Sequence, residues 1–300
     1  MNNEYLVILA GSPRGGEKTW DSMFKYIVEP LNADLAIACG DTVPKEASLY
    51  KKAKYRWLFK EYDDWYKYYE ENYEGNWKQY FETGSNTGLK NSGSVHFAIK
   101  DILLKRHINI IKQYKYIIYT RFDQYYIDSY PSIKDKEDSI FIPEGEDYFG
   151  VCDRYAAFPS KYASEILNIC TYINSKDSLK EIPKYNNCES TYLNHLKYLN
   201  LDSKIKRTKR FQFTVSTKGD KTRWRKARYN LYLVKNLKLK YPSEFVLSMK
   251  NLIDKYSIIQ IINNNFIFLA NYCLLSIRKF FARFLPRKLK DFLAPYIDKE

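Results

Sequence analysis

Two short apolar runs, EYLVILAG (Glu4–Gly11) and ADLAIACG (Ala33–Gly40), flank a segment with helical spacing at Trp20, Met23, Phe24, Ile27 and Leu31. Each run ends on glycine and suits a buried strand. A strand, a helix and a strand in such quick succession make a βαβ unit, and that unit implies parallel pairing. This constraint places the chain among α/β folds before any other residue is considered.

The alternation continues. A helix from Val95 to about Gln113 leads into the strand YKYIIYTRFD, and SIFIPEG (Ser139–Gly145) reads as another strand. Helices are expected from Lys161 to about Ile173 and over CESTYLNHLKYLN, where Tyr192, Leu196 and Leu199 share one side. Between Pro44 and Phe81 the stretch KYRWLFKEYDDWYKYYEENY predicts one or two amphipathic helices over the sheet, and ETGSNTGLKNSGS predicts a polar loop. The expectation is an α/β domain over residues 1–230 with a helical and loop insertion at 44–94. A basic, amphipathic helical region, 231–300, follows it.

Net charge decides which partners to consider. At +14 the chain is suited to an anionic one: nucleic acid, a membrane surface or a phosphorylated small molecule. The five cysteines (Cys39, Cys152, Cys170, Cys188, Cys273) are scattered without C-x-x-C spacing, which argues against a zinc ribbon or a disulfide framework. They suit a reducing compartment. The start, MNNEYLVILAGSPRGG, reads as a first strand and not as a signal peptide, so a cytoplasmic protein is expected. His96, His107 and His195 show no metal spacing and read as helix-surface or core residues.

Charged groups cluster where strands should end. GSPRGGEKT follows the first strand; its glycines permit close backbone approach, and Arg14 can fork onto phosphate oxygens. It is neither a Walker A box nor G-x-G-x-x-G. Arg121 and Asp123 stand at the exit of YIIYTRFD, and open α/β sheets bind ligands outside the carboxyl ends of their strands. Such a site suits a diphosphate, with the carboxylate on a divalent metal or a sugar hydroxyl; the plainer alternative is a surface ion pair. In PEGEDYFGVCDRYAAF, Glu144, Glu146, Asp147 and Asp153 crowd a turn, and Asp153-Arg154 leads into YAAF, which looks like a return to the interior. A charged pair directed inward needs a partner or a role.

Taken in order, GSPRGGEKTW, PLNADLAI, the Ser/Gly loop with its helix, YIIYTRFD, IFIPEGEDYFG, CDRYAAFPS and the late Glu-x-x-Tyr-Leu helix resemble glycosyltransferases of capsule and surface-polysaccharide loci, with relatives in algae and large DNA viruses. The resemblance spans about residues 5–230. It implies a GT-A-like fold with a Rossmann-like sheet, a UDP- or GDP-sugar donor, and Mn or Mg at an Asp-x-Asp-type site. Gly11 and Arg14 match the family's Gly-x-x-Arg, Arg121 and Asp123 its Arg-x-Asp, Asp153 and Arg154 its Asp-Arg, and Glu189 the acid of its later helix. The resemblance thus implies donor binding by Gly11, Arg14, Arg121, Asp123 and Arg154, with Asp123 as the metal ligand. Arg121 stands where a full Asp-x-Asp has its first acid, and Tyr155 where many relatives have His. Inverting transfer needs a carboxylate base; Asp153 is the first candidate, with Glu146 and Glu189 behind it, and retaining transfer stays open.

Lys218–Tyr241 interleaves Lys and Arg with aromatics, and Ser257–Ile277 is uncharged, followed by RKFFARFLPRKLKDFL. Gln and Asn within the uncharged run make a bilayer span costly, whereas a basic, aromatic helix lies at an anionic interface. Peripheral attachment to the cytoplasmic face of a membrane, near a glycan or lipid-linked acceptor, is therefore expected. The rivals are a nucleic-acid-binding protein and a catalytically inactive glycosyltransferase-like scaffold. Nucleic acid is the weaker partner, because its binding does not call for carboxylates at strand exits.

Overall fold

The computed structural model describes residues 3–40, 43–83, 89–130, 133, 138–180, 182, 186–217, 219–220 and 237–284, with side chains through 277. The strands are β1 (Tyr5–Ala10), β2 (Asp34–Gly40), β3 (Tyr55–Phe59), β4 (Tyr116–Arg121), β5 (Gln124–Tyr126), β6 (Ile140–Pro143), β7 (Tyr155–Pro159), β8 (Ile205–Thr208), β9 (Gln212–Thr217) and β10 (Leu237–Leu239). The chain divides into two compact units. The first takes Met1–Pro13, Ile27–Phe122 and Pro131–Thr208, and the second takes Arg14–Tyr26, Asp123–Tyr130 and Lys209–Glu300.

The first unit is α/β. Its described strands form a seven-stranded sheet in the order β3-β2-β1-β4-β7-β6-β8. β7 runs antiparallel to both its neighbours, and the other pairings are parallel. β1 (YLVILA) and β4 (YIIYTR) lie side by side at the centre, and β1 is buried along its whole length. A strand covered on both faces needs apolar side chains on both, so alternation disappears from its sequence. Helices flank the sheet. The helix Ser94–Ile111 buries Phe97, Ala98, Ile99, Ile102 and Leu103 in the same core as Leu6, Ile8 and Ile117 of the sheet.

One expectation is corrected. The residues Tyr55–Phe59, read as helical, form the edge strand β3. Trp57 and Phe59 are buried while Arg56 and Leu58 are exposed, a period of two that suits a half-covered strand. Helices do follow at Tyr66–Asn72 and Trp77–Glu82. Their rings interlock, with Tyr66 edge-on to Trp77 at 5.2 Å and Tyr69 stacked on it at 5.3 Å, so much of the tyrosine abundance is packing. His107 stacks on Trp57 at 4.6 Å, and His195 is buried with its Nε2 2.9 Å from the Glu165 carbonyl.

The second unit has a three-stranded antiparallel sheet, β10-β9-β5, a feature the sequence did not announce. Phe213 and Val215 of β9 join Phe245, Met249 and Leu252 of the helix Pro242–Lys255 in its core. Beside them Arg210 and Glu244, both wholly buried, pair at 3.1 Å, and Glu244 also accepts the Thr214 N–H at 2.6 Å. The helix Ile258–Phe284 places Ile261, Phe268 and Leu275 into this core at seven-residue intervals. Its stretch Ile258–Ile277 is long and apolar enough to cross a membrane by length and composition, with mean hydropathy 1.4. The basic residues 221–236 and 285–300, with the domain boundary expected near 230, lie outside the described residues.

Candidate functional site

The order β3-β2-β1-β4 makes β1 the strand from which the chain turns to either side, and ligand crevices form outside the carboxyl ends at such a switch point. There β1 ends at Ala10, paired with Arg121 at the end of β4, and Gly11 follows with φ of 110°. That left-handed φ, and not a lack of room, demands glycine at position 11: an added Cβ would meet nothing within 4 Å.

Four elements of the first unit bring charged groups together. The turn before β7 carries Asp153 and Arg154, and the helix Cys188–Tyr198 carries Glu189 in its first turn. Arg154 Nη1 donates to Glu189 Oε1 at 2.6 Å and stands 3.6 Å from Asp153 Oδ1; its Nη2 donates to the Glu146 carbonyl at 3.1 Å. From the helix Ser94–Ile111 come His96 and Lys100, one turn apart on one face. His96 Nε2 lies 3.5 Å from Arg121 Nη1. Lys100, only 3 % exposed, holds its ammonium 4.0 Å from the Tyr192 ring centroid and 5.3 Å from that of Tyr119. Such contacts partly replace lost hydration of a cation. The Tyr192 hydroxyl is buried and has no hydrogen-bond partner among the described residues.

One guanidinium between two carboxylates sets their protonation apart. Burial pushes the Asp153 carboxyl up, but Arg154, His96, Arg121 and Lys100 together outweigh it and hold Asp153 below the usual carboxylate range. Glu189 makes the shorter contact to Arg154, yet burial and the Asp153 charge push it up to about 7. The difference is in the company: cations surround Asp153, whereas Glu189 faces one cation and a like charge. Burial lowers Lys100 to about 8, against the pull of Asp153.

The Glu189 backbone is held by local chemistry. Asn187 and Ser190 form a reciprocal capping box, at 2.8 Å and 3.0 Å, and Asn187 Nδ2 donates to the Tyr148 carbonyl at 2.8 Å. Gly150 lies against this turn, where a Cβ would come within 2.0 Å of the Glu189 carbonyl oxygen. Backbone cannot swing aside as a side-chain tip can. Gly150→Ala is therefore expected to destabilise the fold by about 1–3 kcal/mol, the cost of overpacking, as read by urea denaturation.

Asp153, Arg154 and Glu189 thus meet directly, and Arg121 joins them electrostatically. Glu146 contributes its carbonyl, while its carboxylate accepts from the Tyr148 hydroxyl. Arg14 and Asp123 belong to the second unit. There the Arg14 carbonyl accepts the Trp20 indole N–H at 3.0 Å, and the Asp123 carbonyl accepts the Val215 N–H at 2.9 Å. The Gly15 amide, in the loop read as a phosphate cradle, donates to the Asp220 carboxylate at 3.0 Å. His96, Lys100 and Tyr192 carry no site motif in the sequence. The usable signal was Lys100, which with Asp101 interrupts the apolar run of Phe97, Ala98, Ile99 and Ile102 and has His96 four residues before it.

Among the described residues no three His, Cys, Asp or Glu side chains cluster as a metal site. An ion at Asp123 would take most of its oxygen donors from the substrate diphosphate and from water.

Fold and cluster together define an α/β protein with a buried, charged site at the switch point of its sheet. No protein-family model matches the chain, and no curated protein matches it.

Proposed function

We propose that the chain is a GT-A-like glycosyltransferase that moves a sugar from a UDP- or GDP-sugar to a glycan or lipid-linked acceptor. The observation that carries this reading is the Asp153–Arg154–Glu189 cluster among the cations of a switch-point site. Transfer forms a bond from the acceptor oxygen to the anomeric carbon and breaks the bond from that carbon to the diphosphate, which leaves with the electron pair. The acceptor proton must go to a base, and negative charge grows on the leaving phosphate.

Glu189, poised near neutrality, suits the base better than Asp153 does. Two acids pushed apart in this way divide the work between them. Asp153 stays ionised and faces Lys100 and Arg121, and these cations offset charge on the departing diphosphate. Exposed Ile258, Ile259, Ile262, Phe266, Ile267, Leu274 and Ile277 on the C-terminal helix, with the basic run after them, support peripheral attachment to a cytoplasmic membrane face.

The test is a panel of UDP- and GDP-sugars, with and without manganese, read by thermal shift and by nucleotide release. One donor is expected to raise Tm and to release its nucleotide. Indifference to every donor, with stabilisation by single-stranded RNA, would overturn the reading in favour of nucleic-acid binding.

A further inference from the structure

The second unit contains a cavity of about 270 Å³ that is lined by no member of the charged cluster. Lys25, Tyr26, Asp128, Tyr256, Gln260 and Asn264 are among the residues that line it. Asp128 is not an open anion: Lys255 Nζ donates to it at 2.6 Å and the Tyr256 hydroxyl at 3.1 Å. With that charge matched, the wall offers amides, phenols and ring faces. Amides and phenols are the chemistry that reads hydroxyl groups, and the Lys25 ammonium on this wall lies 4.8 Å from the Tyr26 ring centroid. The volume is below the range of about 300–1,000 Å³ for drug-sized ligands, which suits a single sugar ring.

The helix that forms one wall is irregular at this place. Asn265, also lining the cavity, departs from helical geometry with φ −142° and ψ 27°. That departure marks a kink in the helix beside the cavity. Gln260 and Asn264 lie one turn apart on the cavity face. On the adjoining face Ile259, Ile262 and Phe266 form a stripe, 72 %, 43 % and 59 % exposed. A polar cavity bordered by an uncovered apolar stripe matches a ligand with a hydroxylated head and a hydrocarbon chain.

We propose that this cavity and stripe bind one glycolipid, its sugar ring among Tyr26, Gln260 and Asn264 and its chain along Ile259, Ile262 and Phe266. Its service as the acceptor rests on the glycosyltransferase reading; the binding itself does not.

The probe is octyl glucoside below its micelle-forming concentration, titrated calorimetrically into the full chain. Methyl glucoside supplies the head alone, and octylphosphocholine the same chain on a different head. Octyl glucoside is expected to bind at least about tenfold more tightly than either, since both halves of the site contribute. Asn264→Ala should weaken it about fivefold, the worth of one hydrogen bond. Ile262→Ser with Phe266→Ser should reduce it to the methyl glucoside level. These side chains are exposed, so the fold should survive, and circular dichroism checks that. Equal binding of octylphosphocholine, indifference to Asn264→Ala, or no binding at all would each overturn the site. Binding without transfer from any donor in the panel would leave the glycolipid site standing and remove only the acceptor role.

Discussion

Glu189→Gln is expected to lower sugar transfer by about 10²–10⁴-fold, the usual contribution of a general base, while donor binding changes little. Gln keeps the shape and can still accept from Arg154, so the 2.6 Å contact loses charge without losing geometry. The pH profile supplies the sharper check. In the folded chain Glu189 is pushed up to about 7, first by burial and then by the Asp153 charge. Transfer should therefore fall as pH drops through about 7, and the acid limb should vanish in the residual activity of Glu189→Gln. An unchanged limb would return the base to another group. The same raised pKa makes a stability statement. The folded state binds a proton at Glu189 more tightly than the unfolded state does. This contribution to stability is fully present below the ordinary value of 4.5 and fades as pH rises through about 7.

Arg154→Met should be the most destabilising change in the first unit. It leaves the buried carboxylates of Asp153 and Glu189 facing each other without their shared cation. Removing one partner of a buried pair costs about 3–5 kcal/mol, and for a unit of this size that lowers Tm by about 6–20 °C. The sign with pH reverses for Asp153. With Arg154 in place its depressed pKa gives stability above the ordinary 3.8 that is lost as pH falls further. Without Arg154 the main opponent of burial is gone, so acidification should restore part of the stability as the carboxyls protonate. Adding Glu189→Gln to Arg154→Met should recover part of the loss at neutral pH. Strictly additive effects of the two substitutions, measured by urea denaturation, would show that the three groups do not act as one unit.

The sheet was legible because a central parallel strand announces itself: YLVILA and YIIYTR are apolar throughout, and only strands covered on both faces need that. β3 was missed because Trp57 and Phe59 sit in a stretch whose charges also fit a helix, and five residues are too few for one period to win. β5 and β10, at three residues each, are shorter still, and their strand character comes from pairing with β9. A basic, amphipathic helical region was expected over 231–300, and there the helices Pro242–Lys255 and Ile258–Phe284 share a core with an antiparallel sheet.

The candidate site divides in the same way. Arg121, Asp153 and Arg154 were readable one by one, because a charge at the edge of an apolar run is unusual wherever the chain then turns, whereas Glu189 came only through the resemblance. Their sequence also carried the resemblance that suggests sugar transfer. What local sequence could not supply was company. Asp153 and Glu189 are both acids beside polar neighbours, and nothing in CDRYAAF or CESTYL says that one is held ionised and the other is not. That difference comes from Lys100 and His96 on a helix some fifty residues earlier, and from Arg121 at the end of β4. Electrostatic energy depends on separation through space and on the water excluded between charges. Strand identity is written within a few residues because burial on both faces is a local demand; protonation is decided only when distant elements close around the same buried volume.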